Sequence, residues 1–329
     1  MIRLARLVVM MVRPPVALVL MLFAAIGLAV GDAAGGFHPL FTTVLVVVGG
    51  WFVHATVLND LSDERIDRIN LANARGRPLI SGEATRKQLL ALGLAAGAVS
   101  LGVAWWVDPR VGVVVTAGLI LNSAYSLHPL RLSGRGALAT ALLPLGYVVV
   151  PFLVGAFTAQ TTLPPKALVV LAGLYISFMG RIVLKDFRDV AGDEMFGKRT
   201  FLLRYGREAT CMFSAACWIG GSAALIAFVP LYSAVVAVFV AYLACALHGL
   251  FLLSRADDHT QEQVVIAAIA HVGRGMAITL LAHLTMAQGP WSSGEQTLVH
   301  AALAVVFVYA YLDATARRES LSAAAVRPF

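Results

Sequence analysis

Residues 59–82 read NDLSDERIDRINLANARGRPLISG, and residues 40–58, immediately before them, read LFTTVLVVVGGWFVHATVL without one formal charge. If the apolar helix continues one or two turns past its core, at about 100° per residue, Asn59, Asp60, Asp63 and Asp67 fall within about a 100° sector of a single face. Three carboxylates packed into two turns repel one another, so that face calls for a cation. Arg75 and Arg77 follow within the same stretch.

The rest of the chain explains why such a charge cluster stands out. Hydrophobic residues make up 59% of it and charged residues 13%, and its mean hydropathy is +0.82; soluble domains carry about a quarter charged residues. This is the composition of an integral membrane protein. Ten apolar windows match the roughly 20 residues that cross a hydrocarbon core of about 30 Å; they lie near 14–31, 39–58, 88–107, 111–127, 137–158, 164–184, 209–229, 231–253, 263–287 and 297–314. The expected fold is all-α: one polytopic membrane helical bundle over residues 1–329, with ten transmembrane helices by this count. Two longer polar loops interrupt it, at 59–87 and 185–208. The first window exceeds the usual length of a secretory signal core and reads as a retained helix. Cys211, Cys217 and Cys245 lie in apolar runs without metal-ligand spacing and read as packing residues.

Short loops rich in Lys and Arg stay cytoplasmic. With the N-terminus inside, all but Arg110, Lys166 and Arg274 of the 25 Lys and Arg fall on that side. Orientation therefore accounts for the net charge of +7, and a pI near 9.6 needs no nucleic-acid partner. The expected setting is a bacterial cell membrane, with both polar loops cytoplasmic.

The second loop repeats the acidic pattern. Residues 185–200 read KDFRDVAGDEMFGKRT, and on a helix Asp186, Asp189 and Asp193 fall within about a 60° sector. With Asp60, Asp63, Glu64, Asp67 and Glu194 they make eight of the chain's 18 acidic residues. One such cluster reads as an ordinary solvated loop; two, with the same intervals and flanking bases, do not. Oxygen ligands without His or Cys suit Mg2+, which takes one or two carboxylates and fills its other positions with water and substrate phosphates. Arg75, Arg77, Arg131, Lys198 and Arg199 supply donors for phosphate oxygens that the metal leaves free. Acid, metal and base on one membrane face describe a diphosphate site. A transporter would place its charges nearer the midplane, at broken helices.

The stretch N-D-x-x-D-x-x-x-D at 59–67 followed by R-P-L-I-S-G at 77–82, and D-x-x-D-x-x-x-D at 186–193 followed by G-K-R-T at 197–200, resemble the two signature motifs of the UbiA superfamily of intramembrane prenyltransferases. The similarity extends to R-P at 13–14 and to Y-S-L-H-P-L-R-L at 125–132, and covers the first six spans. Beyond about residue 208 only the helical pattern continues it. The resemblance implies a bundle of nine or ten transmembrane helices around a central cavity, over which the two acidic loops face each other and bind an isoprenyl diphosphate through Mg2+. Asn59, Asp63 and Asp67 would form the first metal set, with Asp60 as an added carboxylate, and Asp186, Asp189 and Asp193 the second. Asp63, Asp67, Asp186 and Asp189 would carry the catalysis. Arg75, Arg77, Tyr125, Arg131, Lys185, Lys198 and Arg199 would bind the diphosphate. Ser133 stands where many relatives have a basic residue, which leaves that task to Arg131 and Arg135. The implied reaction moves the prenyl chain to an aromatic or lipid-like acceptor; terpene cyclases and a phosphoribosyl transferase on the same scaffold share the motifs. Among polar residues within spans, His54 reads as a hydrogen-bonded interior histidine. His271 and Arg274, at i and i+3, read as either a site or a structural pair. Tyr147 and Tyr175 read as packing residues.

Overall fold

The computed structural model of the protein describes residues 2–31, 37–70, 76–159, 162–256 and 258–325, and every regular element among them is helical. By backbone contacts the chain divides into two compact units, Met1–Pro164 with Asp189–Thr200, and Pro165–Arg188 with Phe201–Phe329.

The first unit holds α1 (Ile2–Val12), α2 (Pro14–Val30), α3 (Phe37–Ser62), α4 (Glu64–Asn70), α5 (Arg86–Val107), α6 (Pro109–Ser126), α7 (Ala137–Pro144) and α8 (Val150–Ala159). Between α1 and α2 the chain bends by 62°. The bend centres on Arg13, a non-glycine residue in the left-handed region at φ 46°, and Pro14 restarts the helix with the φ its ring already fixes. α3 lies along α5, and Ser100 ties them by donating Oγ to the Val47 carbonyl at 2.6 Å. α2 packs on α8 through glycines: a Cβ on Gly27 would come 2.1 Å from the Phe152 oxygen, and one on Gly155 2.0 Å from that of Ala24. In lipid, where apolar side chains gain nothing by leaving solvent, backbone approach of this kind supplies the dispersion energy that holds helices together. α7 and α8 form one apolar stretch in which a π-turn, Leu145–Val149, follows Pro144.

A small core under the polar connection determines where its charges stand. Met11, Val53, Val57, Leu79, Ala84 and Leu89 are buried together, which fastens the turn carrying Arg77 to α1, α3 and α5. Thr85 and Gln88 then start α5 as a reciprocal capping box.

The second unit contains α9 (Pro165–Ile182), a short 3-10 turn (Val183–Lys185), the start of α10 (Asp186–Met195), α11 (Phe201–Phe228), α12 (Ser233–Ser254), α13 (His259–Met286) and α14 (Ser293–Ala325). α9 packs along α11, where Ser214 donates Oγ to the Gly180 carbonyl at 2.7 Å. Arg207 pairs with the buried Glu262 and donates to the Leu253 carbonyl at 2.9 Å, joining α11 to α12 and α13.

Each of the ten apolar windows contains helix. Among the described residues, eight helices are long and apolar enough to cross a membrane, and the pair bent at Arg13 makes nine when taken as one crossing. The remaining window, 111–127, forms α6 but is not among them, since the eighteen residues of that helix include Arg110, Thr116, Asn122, Ser123, Tyr125 and Ser126. The protein is thus a multi-pass integral membrane protein. Its three cysteines are free, Cys211 and Cys217 being buried. His54 donates Nδ1 to the Gly93 carbonyl at 3.0 Å, an interior hydrogen bond as expected. Arg274 donates to His271 Nδ1 at 3.3 Å within α13, which is the structural half of the two readings given for that pair. Tyr147 packs edge-on against Phe52, with ring centroids 6.4 Å apart.

Candidate active site

The first acidic stretch is helical on both sides of one interruption. α3 ends at Ser62 and α4 begins at Glu64, so Asp63 lies in the break rather than inside a continuous helix. The i to i−4 ladder nevertheless persists: the amide of Asp63 donates to the Asn59 carbonyl at 2.9 Å and that of Asp67 to the Asp63 carbonyl at 2.8 Å. The break coincides with pulls from outside the helix. Ser62 Oγ donates to the Ser126 carbonyl, and the Asp63 carboxylate is held by bases from two later segments.

Those bases form two chains of ion pairs within the first unit. In one, Asp60 Oδ1 accepts from both Arg13 and Arg77, and Arg77 Nη1 also lies 3.0 Å from Asp67 Oδ2. In the other, Asp63 Oδ1 meets Arg131 Nη2 at 2.9 Å, and its Oδ2 meets Lys198 Nζ at 3.3 Å. Lys198 Nζ also lies 3.3 Å from Asp193 Oδ1, and Asn59 Nδ2 donates to Asp63 Oδ2 at 3.3 Å. Asp60, at 3% exposure, has its second oxygen buried with no partner among the described residues. Burial pushes the Asp67 carboxyl up to about 6 against the pull of Arg77, and the nearby Asp60 and Asp63 push the same way.

The end of α10 explains how Lys198 gets there. Gly197 takes φ +66°, the Lys198 amide donates to the Asp193 carbonyl at 2.9 Å, and the Gly197 amide donates to the Glu194 carbonyl at 3.1 Å. This is a Schellman ending, which needs the left-handed residue that glycine adopts without strain. The chain then runs so close to the loop after α6 that a Cβ on Gly136 would lie 2.5 Å from the Arg199 carbonyl oxygen. Contact with that loop, which also carries Arg131, is therefore made by backbone.

Other predicted residues are placed less centrally. Asp186 is buried; its Oδ2 accepts from the Phe201 amide at 3.2 Å and its Oδ1 lies 3.4 Å from Lys185 Nζ. Asp189 is half-buried on α10, and Tyr125 half-buried near the end of α6. Arg199 and Arg135 are exposed, while Ser133 Oγ is buried without a partner. Arg75 lies outside the described residues. The R-P pair at 13–14 is visible in the sequence, whereas the contact of Arg13 with Asp60 is not. That contact bridges 47 positions of chain, and no local pattern signals it.

Among the described residues, no three His, Cys, Asp or Glu side chains converge as a ready ligand set. The carboxylates fit Mg2+ under its usual terms, in which the protein gives one or two oxygens per ion and water and phosphate give the rest. The second Asp60 oxygen and the crowded, half-buried Asp67 are groups that a cation would relieve.

The family model described as the UbiA prenyltransferase family matches residues 18–272. Homogentisate phytyltransferase from Synechocystis sp. is 32% identical over 241 residues, 68% of this chain and 76% of that protein. The bacteriochlorophyll synthase 33 kDa chain of Rhodobacter capsulatus is 30% identical over 179 residues, 53% of this chain and 57% of that one, so the match spans little more than half of that relative. A UbiA homologue from Archaeoglobus fulgidus, solved bound to GPP and Mg2+, matches 94% of this chain and 99% of its own with a TM-score of 0.58 at 16% identity, a likeness of fold.

Proposed function

The chain belongs to the UbiA prenyltransferase family, and from that premise we propose that it takes an allylic isoprenyl diphosphate with Mg2+ and transfers the prenyl group to an aromatic or lipid-like acceptor. The observation that carries this reading is the alternation of acid and base along Arg13–Asp60–Arg77–Asp67 and Arg131–Asp63–Lys198–Asp193. Such a network can divide between two ligands of opposite sign. The carboxylates turn to a cation and the guanidinium and ammonium groups to phosphate oxygens, so every charge keeps an opposite partner.

In this reading Asn59, Asp60, Asp63 and Asp67 hold metal for the donor, and Asp186, Asp189 and Asp193 are assigned to the same chemistry by residue type and spacing. Bound Mg2+ would neutralise the diphosphate and make it a better leaving group. Arg77, Arg131 and Lys198, with Arg75, Lys185, Arg199 and Tyr125, bind and orient it. The C1–O bond breaks with its electron pair leaving on the diphosphate, and charge building on those oxygens meets donors already fixed in place. The acceptor bonds to C1 and gives up its proton. The cytoplasmic side is assigned to this chemistry because basic residues gather on the same segments as the acids, and because a polyanion cannot cross the bilayer core unaided.

The test incubates purified protein in uncharged detergent with labelled farnesyl and geranylgeranyl diphosphates, Mg2+ and a membrane-lipid extract, and identifies products by mass. A prenylated acceptor is expected. A cyclised hydrocarbon, or diphosphate returned intact, would contradict prenyl transfer to a second molecule.

A further inference from the structure

A cavity of about 620 Å³ opens beside α4 in the first unit. Four guanidinium groups line it, those of Arg65, Arg68, Arg86 and Arg131, with Glu64 as the one carboxylate. Glu64 is already engaged: Arg68 Nη2 lies 2.9 Å from its Oε1, and Arg86 pairs with its Oε2. Arg131 faces two ways, its Nη2 on Asp63 and its Nε buried with no partner among the described residues. Four positive charges less Glu64 leave three, and the claim of Asp63 on Arg131 leaves two. A phosphate monoester carries about −1.5 to −2 near neutral pH, so it matches that balance; a carboxylate would leave one guanidinium uncompensated. The rest of the lining includes Leu61, Ile66 and Phe196, apolar groups that suit the first carbons of a chain attached to such a head. With its only carboxylate paired twice, the cavity has no ligand to spare for a metal.

We infer that this cavity is a second anion subsite, which takes the phosphate monoester head of an amphiphilic acceptor without a divalent ion. The word acceptor rests on the prenyl-transfer reading; the anion subsite does not. Planar guanidinium forks bind phosphate oxygens two at a time, and Arg131 belongs to both sites, placing the head beside Asp63 of the donor network.

The test titrates dodecyl phosphate into the full chain in uncharged maltoside detergent containing EDTA, read by calorimetry, with dodecanol as the neutral counterpart. Saturable binding of dodecyl phosphate alone is expected, weakened about tenfold or more by the double variant Arg65→Gln with Arg68→Gln. Retained Mg2+-dependent binding of farnesyl diphosphate by that variant shows that it is folded. Equal affinity in the double variant, or no saturable binding in EDTA, would overturn the subsite. Complete displacement of dodecyl phosphate by phosphatidylglycerol in nanodiscs would assign the cavity to a bilayer lipid and overturn the acceptor. Should the wild type bind dodecyl phosphate but no farnesyl diphosphate with Mg2+, the donor reading fails and the anion subsite stands.

Discussion

Asp60, Asp63 and Asp67 stand at the same intervals as Asp186, Asp189 and Asp193, yet the groups that meet them come from different distances along the chain. The first set is met from afar: Arg13 reaches Asp60 across 47 positions, Arg131 reaches Asp63 across 68, and Lys198 reaches it across 135. In the second set Asp186 is met by near neighbours. Lys185 adjoins Asp186, the Phe201 amide is 15 positions on, and Lys198 shares a helix ending with Asp193. Identical spacing thus places Asp63 in an ion-pair network assembled by the fold and Asp186 in a locally built helix connection. A network of side-chain pairs can be repartitioned by a ligand. A carboxylate that accepts a backbone amide is also a structural part.

This contrast predicts effects of decreasing size. Asp63→Ala should lower turnover by about a thousandfold or more, in the range of losing a principal electrostatic group. The protein should stay folded, since Lys198 keeps Asp193; a rate near wild type would remove the first set from the chemistry. Arg77→Gln should cost about 2 kcal/mol of stability, because among the described residues it leaves the buried Asp60 with Arg13 alone. An unchanged unfolding midpoint in detergent would mean that Asp60 does not depend on the pair. For the second set, Asp186→Ala should cost about 1 kcal/mol through loss of the acceptor for the Phe201 amide, and Asp186→Asn should recover most of it while remaining inactive. Equal stability of the two variants would refute the structural share of Asp186. Gly197→Ala has open space around it, so its cost, about 1 kcal/mol, should come from the positive φ alone. No loss would show that the ending of α10 adjusts freely.

The helices were legible because apolar length is a property of contiguous residues, and each of the ten windows contains one. The site was legible where its signal is local. The intervals of Asn59, Asp63 and Asp67 and of Asp186, Asp189 and Asp193 can be counted, and Gly197 marks the end of α10. Contacts between distant segments leave no such trace. Arg13 to Asp60 and Lys198 to Asp63 follow from a left-handed bend and a helix ending whose directions sequence periodicity does not fix. The break at Asp63 escaped for the same reason, since its pulls come from Ser126, Arg131 and Lys198. In the sequence, Arg65, Arg68 and Arg86 count only among the charges that set orientation. The one local hint of more was Glu64 and Arg68 at i and i+4.

The central claim is that the ion pairs of the first acidic set exchange for a divalent cation and a diphosphate. Equilibrium binding of labelled farnesyl and geranylgeranyl diphosphates to the purified protein, with excess Mg2+ and then with excess EDTA, tests it most directly. Saturable binding with Mg2+ that disappears in EDTA is predicted, because carboxylates without the metal repel a ligand of their own sign. Equal affinity in EDTA would contradict the account and leave the diphosphate to the bases alone.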